Sequence, residues 1–356
     1  MERRRNRSVT IQDVADEAGV GLGTVSRVLN KHPSVSDSTR KRIMAVVTRL
    51  NYQPNVQARR LVKGKAETVC FVLSNREFID PFHALVLRGA QRFFAAVGQQ
   101  VIYLPFEYPE TTKSESLILP KIIAARGVVD GVILAGTNRT NLLEALEKAN
   151  VPYVVFGNNL LPGQDTLPDS VWFDDGDGGY QVGKHFLDHG RTRIWYVGDI
   201  KQPWFRRRYE GCRAALEECG MKLELFEDIE SEDRVQYGYK ATCAIADEKR
   251  EADAIFAGND AVAYGAWKAL DERRLPIPGD IAIVGFDDRE LCQLTSPHLS
   301  SVRTFNEEVG RECARMLLEK LENPGRRMPP VILHTELVVR GSSDANAPEF
   351  AHRSSF

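Results

Sequence analysis

The chain is poor in cysteine and has no long apolar run. Its six cysteines, at 70, 212, 219, 243, 292 and 313, form no Cys-x-x-Cys pair and keep no regular spacing. That scatter reads as reduced thiols rather than a disulfide framework or a zinc cage. The first residues, Met-Glu-Arg-Arg-Arg-Asn-Arg, lack the apolar core of a secretory signal. The longest apolar stretches, near Val151–Phe156 and Ile281–Phe286, are strand-sized, short of the ~20 residues that cross a bilayer. These absences predict a cytoplasmic protein with no membrane partner.

Catalytic signatures are missing too. Gly19-Val-Gly-Leu-Gly23 has the look of a dinucleotide loop, but a helix pattern precedes it where a strand is required. Asp175-Gly-Asp-Gly-Gly179 has the look of a calcium loop, yet Phe186 stands where the closing Glu belongs. His185-Phe-Leu-Asp188-His189 has inverted-zincin spacing with Asp in place of Glu, and Gly190 stops the helix at once, so it reads as a surface helix end. No Ser/His/Asp or Cys/His arrangement stands out. The expectation is a protein that is not an enzyme, with no catalytic residue, no metal and no cofactor.

What is present is an uneven distribution of charge. The whole chain of 356 residues carries a formal net charge of -2. Residues 1–65 hold 14 Lys+Arg against 5 Asp+Glu, a head of +9, which leaves -11 for the rest. A basic head on an acidic body suggests a polyanion-binding head, nucleic acid first. Residues 8–51 pattern as three short helices: Thr10 opens the first, Leu22–Leu29 is the second, and Ser36 opens the third. By spacing alone, a helix-turn-helix and a plain bundle with a basic face stand level. From Thr68 onward strand runs alternate with helical runs, among them Val69–Leu73, His83–Val97, Val128–Leu134, Tyr153–Phe156, Ile194–Val197, Ala254–Ala257 and Asn306–Glu322. Such alternation predicts parallel sheets covered on both faces, and its length predicts two lobes with a cleft at the strand ends.

The run Val9-Thr-Ile-Gln-Asp-Val-Ala-Asp-Glu-Ala-Gly-Val20, then Thr24-Val-Ser-Arg-Val-Leu-Asn30, then Asn51-Tyr-Gln-Pro-Asn55, resembles the DNA-binding signature of the lactose-repressor (LacI/GalR) family. The resemblance implies that Leu22, Gly23 and Arg27 meet base edges and that Thr24, Ser26 and Asn30 meet phosphates. Arg27 suits bidentate donation to a guanine. Gly21 departs from the usual capping Ser, and Gly23 has no side chain with which to read a base. Residues 55–63 resemble the family's hinge helix, with Asn55, Ala58 and Leu61 as its DNA contacts and Leu61 as the minor-groove wedge.

The body resembles the family as well. Asp80-Pro-Phe82, Val129-Asp-Gly-Val-Ile133, Arg208-x-x-Gly211, Ala257-Gly-Asn-Asp260, Pro278-Gly-Asp-Ile281 and Val284-Gly-Phe-Asp-Asp288 match its pattern. The implied architecture is α/β: an N-terminal helix-turn-helix three-helix domain (1–53), a hinge helix (54–64), then a two-lobed periplasmic-binding-protein-like (type I) sensor with parallel sheets (65–341). A flexible tail (342–356) follows. Phe82, Asn159, Arg208, Asn259 and Asp287 are the implied effector contacts. Gly157 occupies the place that best matches an effector-binding Asp of relatives. Trp204 is added as a stacking residue, while Trp204 and Phe205 leave open which of them belongs to the core. Asp260 and Asp288 read as turn caps.

The expected function is a transcriptional regulator, a repressor, that binds a palindromic operator in double-stranded DNA as a homodimer. A small-molecule effector, by resemblance a sugar, controls it. The aromatics at 204 and 205 favour a neutral saccharide, and the absence of leucine heptads after Gly341 favours a dimer. A stand-alone sugar-binding protein and an α/β enzyme without a DNA role are the alternatives.

Overall fold

The computed structural model describes residues 9–30, 32–53, 65–76, 79–157, 167–226, 233–247 and 251–348. The chain divides between Glu67 and Thr68 into two compact units.

In the first unit, three helices pack around a small core: α1 (Ile11–Ala18), α2 (Leu22–Leu29) and α3 (Asp37–Arg49). Local chemistry fixes their ends. The Thr10 side chain accepts the Asp13 N–H, and the Asp13 carboxylate accepts the Thr10 N–H at 2.7 Å, a reciprocal box that occupies two donors otherwise orphaned at a helix start. Gly19 closes α1 with φ +62°, a conformation that costs most other residues energy. Gly21 opens α2 with no side-chain bond, and Ser36 opens α3 by accepting the Thr39 N–H. Val14, Ala18, Val25, Val28, Ile43, Val46 and Tyr52 are buried together, so each helix contributes one apolar face to the core.

The second unit holds two six-stranded sheets. The N-terminal lobe contains β1 (Thr68–Ser74), α4 (Pro81–Ala96), β2 (Gln100–Phe106), α5 (Lys121–Ala124), β3 (Gly131–Gly136), α6 (Thr140–Lys148), β4 (Tyr153–Phe156) and β5 (Ser170–Phe173). Then come α7 (Asp175–Asp188), β6 (Ile194–Val197), α8 (Pro203–Glu217), β7 (Leu223–Phe226), α9 (Arg234–Asp247), β8 (Ala254–Ala257), α10 (Asp260–Glu272), β9 (Ala282–Asp287) and β10 (Ser300–Thr304). The chain ends its regular structure with α11 (Asn306–Glu322), β11 (Val331–Leu333) and β12 (Thr335–Val338). The strand orders are β11-β5-β4-β3-β1-β2 and β12-β10-β9-β8-β6-β7, parallel throughout except for β10 against β12. Because β11 belongs to the first sheet and β12 to the second, the chain passes between the lobes three times, after β5, β10 and β11. The central strands β1, β3, β4, β8 and most of β9 are buried along their length, as sheets covered on both faces require.

Two features differ from the sequence pattern. Asp175-Gly-Asp-Gly-Gly179 is not a loop but the first turns of α7, whose N-cap Asp174 accepts the Asp177 N–H at 2.8 Å. Its glycines serve close packing: a Cβ on Gly179 would overlap the Arg208 carbonyl, and one on Gly211 would lie 2.8 Å from the Gly176 carbonyl carbon. The α7–α8 crossing therefore brings two backbones into contact.

The polar run from Ser342 also does not begin loose. Ser342 and Ser343 are buried, and the Ser342 hydroxyl accepts the Ser300 N–H at 2.8 Å and donates to the Ile283 carbonyl. A hydrogen-bonded serine ladder holds polar residues that composition alone assigns to solvent. His185 joins it, bonding through Nε2 to the Ser343 hydroxyl at 2.8 Å, so that histidine is a buried residue rather than a surface one.

Candidate functional site

In the first unit, α2 turns Val25 and Val28 inward and leaves Leu22, Gly23, Arg27 and Asn30 exposed, with Thr24 and Ser26 half-buried. Leu22 is an apolar side chain left 44% exposed. The exposed face is thus the one on which the sequence placed its base-edge residues. The Asn30 amide donates to the Ser26 hydroxyl at 3.4 Å. Nothing lies within 4 Å of where a Gly23 side chain would begin, so that position is open space. Asn55, Ala58 and Leu61 lie outside the described residues, as does Asn159 in the second unit.

In the second unit a cavity of about 260 Å³ lies at the carboxyl ends of the strands, between the lobes. The N-terminal lobe lines it with Arg76, Asp80, Phe82, His83 and Phe173. The other lobe supplies Trp204, Arg208, Arg234, Asn259, Ala261, Asp287 and Arg289. Of the sequence-derived effector residues, Phe82, Trp204, Arg208, Asn259 and Asp287 therefore meet in one place. A side chain at Gly157 would begin 3.1 Å from the Trp172 ring, on which Gly157 packs.

Most of the expected contacts are held by the protein itself. Arg208, at the first turns of α8, is buried. Its Nε donates to Asp175 Oδ1 at 2.8 Å, its Nη1 to the Gly258 carbonyl at 2.7 Å, and its Nη2 stands 3.5 Å from Asp287 Oδ1. The guanidinium also lies 3.7 Å from the centroid of the Phe286 ring. Burial works against its charge, but Asp175 and Asp287 outweigh burial and raise its pKa. Asp287 closes β9 with φ +108°, a strained conformation for a residue with a Cβ, costing roughly 1–3 kcal/mol. Burial pushes its carboxyl upward, while Arg208 and Arg289 pull against that shift. Asn259 caps α10 through Oδ1, which accepts the Val262 N–H at 3.0 Å, so its amide NH2 is the part left for a ligand. Phe82 packs against Phe156 and Phe173, with ring centroids 5.7 and 5.9 Å away.

Trp204 and Phe205 separate cleanly. Trp204 is half-buried on the cavity wall, whereas Phe205 is fully buried and belongs to the core. Asp260 and Asp288 are structural, but they clamp rather than cap turns. Asp260 is buried and accepts the Arg289 N–H at 2.7 Å and the Ser301 hydroxyl at 2.6 Å. Its burial, with the nearby Asp287 charge, pushes its pKa up to about 7. Asp288 pairs with Arg340 at 2.6 Å and Arg303 at 2.8 Å.

Four charged or titratable wall residues carry no motif: Arg76, His83, Arg234 and Arg289. Asp80, the N-cap of α4, accepts both the His83 backbone N–H at 2.9 Å and its ring Nδ1 at 3.0 Å. Burial opposes ionisation of Asp80, yet His83 and the charge of Arg289 hold its carboxyl below the usual range. The Asp80 bond orients His83 and leaves its Nε2 buried without a partner; Arg76 Nε and Arg289 Nε are likewise buried and unpaired. A capped helix start, Asp-Pro-x-His, was the signal available for His83. Among the described residues no cluster of His, Cys, Asp or Glu is placed to hold a metal ion, and no helix is long and apolar enough to cross a membrane.

Comparison with known proteins agrees with both parts. Residues 10–55 match the model for bacterial regulatory proteins of the lacI family, and residues 184–343 match the periplasmic binding protein-like domain. The HTH-type transcriptional regulator CelR of Thermobifida fusca is 32% identical over 351 residues, covering 96% of this chain and all of that one. The HTH-type transcriptional repressor PurR of Proteus mirabilis is 29% identical, over 94% of this chain and 96% of that one. The solved CelR–cellobiose complex superposes with a TM-score of 0.67 at 29% identity, covering 94% of this chain and 99% of that one. The Lac repressor dimer bound to operator and the anti-inducer ONPF shares the fold, with a TM-score of 0.78 at 23% identity over 95% and 99% of the two chains. A helix-turn-helix head, a two-lobed sensor crossed three times by the chain and a relative matched along nearly its whole length lead to one conclusion: the chain belongs to the LacI family of bacterial regulatory proteins, helix-turn-helix regulators of transcription.

Proposed function

We propose that this protein is a repressor that binds a near-palindromic operator as a homodimer and responds to a sugar held between its two lobes. The observation that carries the reading is the exposed face of α2. Leu22 and Arg27 stand on it beside Gly23, over a core of Val25 and Val28, a geometry in which the two side chains are offered to a major groove. Two such helices, related by a two-fold axis, would occupy two half-sites. Residues 1–53 are the reading head, 54–64 the hinge, and 65–341 the sensor. Thr24, Ser26 and Asn30 suit phosphates, which position the head, and Asn55, Ala58 and Leu61 suit the minor groove beneath the hinge.

The effector reading rests on the cavity between the lobes. Phe82, Trp204, Arg208, Asn259 and Asp287 converge there, with an aromatic face, a forked donor, an amide and a carboxylate of the kinds that hold a hydroxylated ring. Asn159 is kept as a further contact by resemblance. CelR in complex with cellobiose supports a saccharide as the class. A ligand that touches both lobes favours the closed arrangement in proportion to its extra contacts there, and closure is the step that would alter the hinges and DNA affinity. The protein acts without catalysis, and in the cytoplasm, where operator DNA is found.

An electrophoretic mobility shift on the DNA upstream of the coding sequence tests the reading. Specific retardation that is lost when residues 1–64 are removed is the expected result. Retardation unchanged by that removal, or none at low salt, would sink it.

A further inference from the structure

The cavity wall carries four guanidiniums, Arg76, Arg208, Arg234 and Arg289, against the two carboxylates Asp80 and Asp287. Two of the four are matched. Arg208 pairs with Asp175, and Arg289 stands 3.8 Å from Asp287. Arg76 and Arg234 have no ion-pair partner among the described residues. They are held by aromatic faces instead: Arg76 lies 5.5 Å from the Trp204 ring centroid and Arg234 lies 5.1 Å from that of Phe205, while those two rings are 5.7 Å apart. A cation–π contact positions a guanidinium without neutralising it. Two positive charges from opposite lobes therefore flank one pair of adjacent rings. Burial depresses the Arg234 pKa; Asp199 opposes that effect, and repulsion from Arg76 adds to it.

We infer that the effector is an acidic sugar, whose anionic group bridges Arg76 and Arg234 while His83 Nε2 takes one of its hydroxyls. The inference rests on the sugar-effector reading above and narrows it. His83 is 3% exposed, lines the cavity, and has Nδ1 fixed by Asp80, while its Nε2 is buried without a partner. With Nδ1 bonded to the carboxylate, Nε2 is the ring atom left for a sugar hydroxyl. The unpaired Arg76 Nε supplies a charge-assisted donor for an oxyanion. A neutral sugar would leave two half-buried, mutually repelling cations in a closing cleft, which is costly. An anion removes that repulsion, and because Arg76 follows β1 and Arg234 begins α9, it does so by tying the two lobes together. With Arg76 against the Trp204 ring, the aromatic pair that favoured a neutral saccharide in the sequence serves a cation instead.

Isothermal titration of the full-length protein against matched sugars tests this. D-glucuronate, D-galacturonate, D-gluconate and glucose 6-phosphate form the acidic set; glucose, galactose and cellobiose form the neutral set. The carboxylate and phosphate arms tell which anion is read. At least one acidic member should bind about 100-fold more tightly than its neutral parent. That preference should vanish in the Arg76→Gln/Arg234→Gln double variant and return in large part with Lys at both positions. A neutral sugar that binds as tightly as its acid counterpart overturns the inference and leaves the sugar reading standing. So does an acidic sugar whose affinity survives the double Gln change. Silence across both sets counts against the sugar reading itself. If the double variant does not fold, the wild-type panel decides alone.

Discussion

Gly211→Ala is a substitution for which two physical effects make opposite forecasts. Gly211 lies inside α8, where replacing glycine by alanine ordinarily stabilises a helix by about 1 kcal/mol. Here the new methyl would meet backbone rather than a side chain, lying 2.8 Å from the Gly176 carbonyl carbon and 3.0 Å from the Tyr180 nitrogen, with the Gly176 oxygen nearer still. No rotamer change can relieve that overlap, so α7 and α8 must part. Overpacking of this kind costs typically 1–3 kcal/mol and more when both obstacles are main chain. Taking the upper part of that range against the helix gain leaves a net loss of about 2 kcal/mol. At roughly 2–4 °C per kcal/mol for a unit of this size, the melting temperature should fall by ~4–8 °C. Gly23→Ala is the control: it is helical, exposed and free of neighbours within 4 Å, so it should stabilise its unit slightly. Circular-dichroism melts of the two variants in the full-length protein give opposite signs if the reasoning holds. A Gly211→Ala protein as stable as wild type, or more so, would refute the close crossing. Because α8 also carries Trp204 and Arg208, the variant should bind effector more weakly than its stability loss alone explains.

Three further outcomes are expected. Arg27→Ala should cost about 1–3 kcal/mol of discrimination between operator and unrelated DNA in competition binding, whereas equal weakening on every sequence would make Arg27 a phosphate contact. Asp175→Asn removes the carboxylate that accepts both Arg207 and Arg208, leaving a buried guanidinium short of a partner; urea denaturation should show a loss of about 3 kcal/mol or more. His185 has its pKa lowered from 6.5 to about 4, chiefly by burial and then by the nearby His189. The folded state thus binds fewer protons than the unfolded chain in that window, and stability falls as pH drops from about 6.5 towards 4, by up to ~3 kcal/mol from this group. His185→Gln should flatten that limb of the stability–pH curve; an unchanged slope would assign it to other groups.

The fold was legible wherever a run of residues had one environment. Tyr153–Phe156, Ile194–Val197 and Ala254–Ala257 are buried on both faces, so their apolar runs coincide with the strands. Ser300–Thr304 is a strand too, yet it reads Ser-Ser-Val-Arg-Thr, because the buried hydroxyls of Ser300 and Ser301 donate to the Arg340 carbonyl and to Asp260. Only tertiary partners make that sequence a core strand, and no local pattern announces them. The start of α7 was obscured for a related reason. Glycine is the ordinary mark of a loop, but Gly178 is flush against the Phe286 ring and Gly179 against the backbone of α8, so these glycines record contact with elements distant in sequence.

The proposed effector site divides along a similar line, and the division bears on how such a sensor acquires its ligand. The residues that matched a family pattern are largely those whose hydrogen-bonding capacity the protein already uses. Arg208 is engaged by Asp175, Gly258 and Asp287, and Asn259 spends its oxygen on the α10 cap. A group committed in this way fixes the shape of the cleft, and its own energy changes little from one ligand to the next. The groups with capacity to spare include His83, Arg76, Arg234 and the Nε of Arg289, none of which belongs to a motif. Discrimination is a difference between affinities, and it is largest where a wrong ligand leaves a buried donor or charge unmet. Ligand choice therefore belongs to the unmet set. Exchanging Arg208 should damage every effector response through the fold, while exchanging Arg76 and Arg234 should change which effector is recognised. A double variant that kept the wild-type ligand preference would show that the shape-holding residues do the choosing after all.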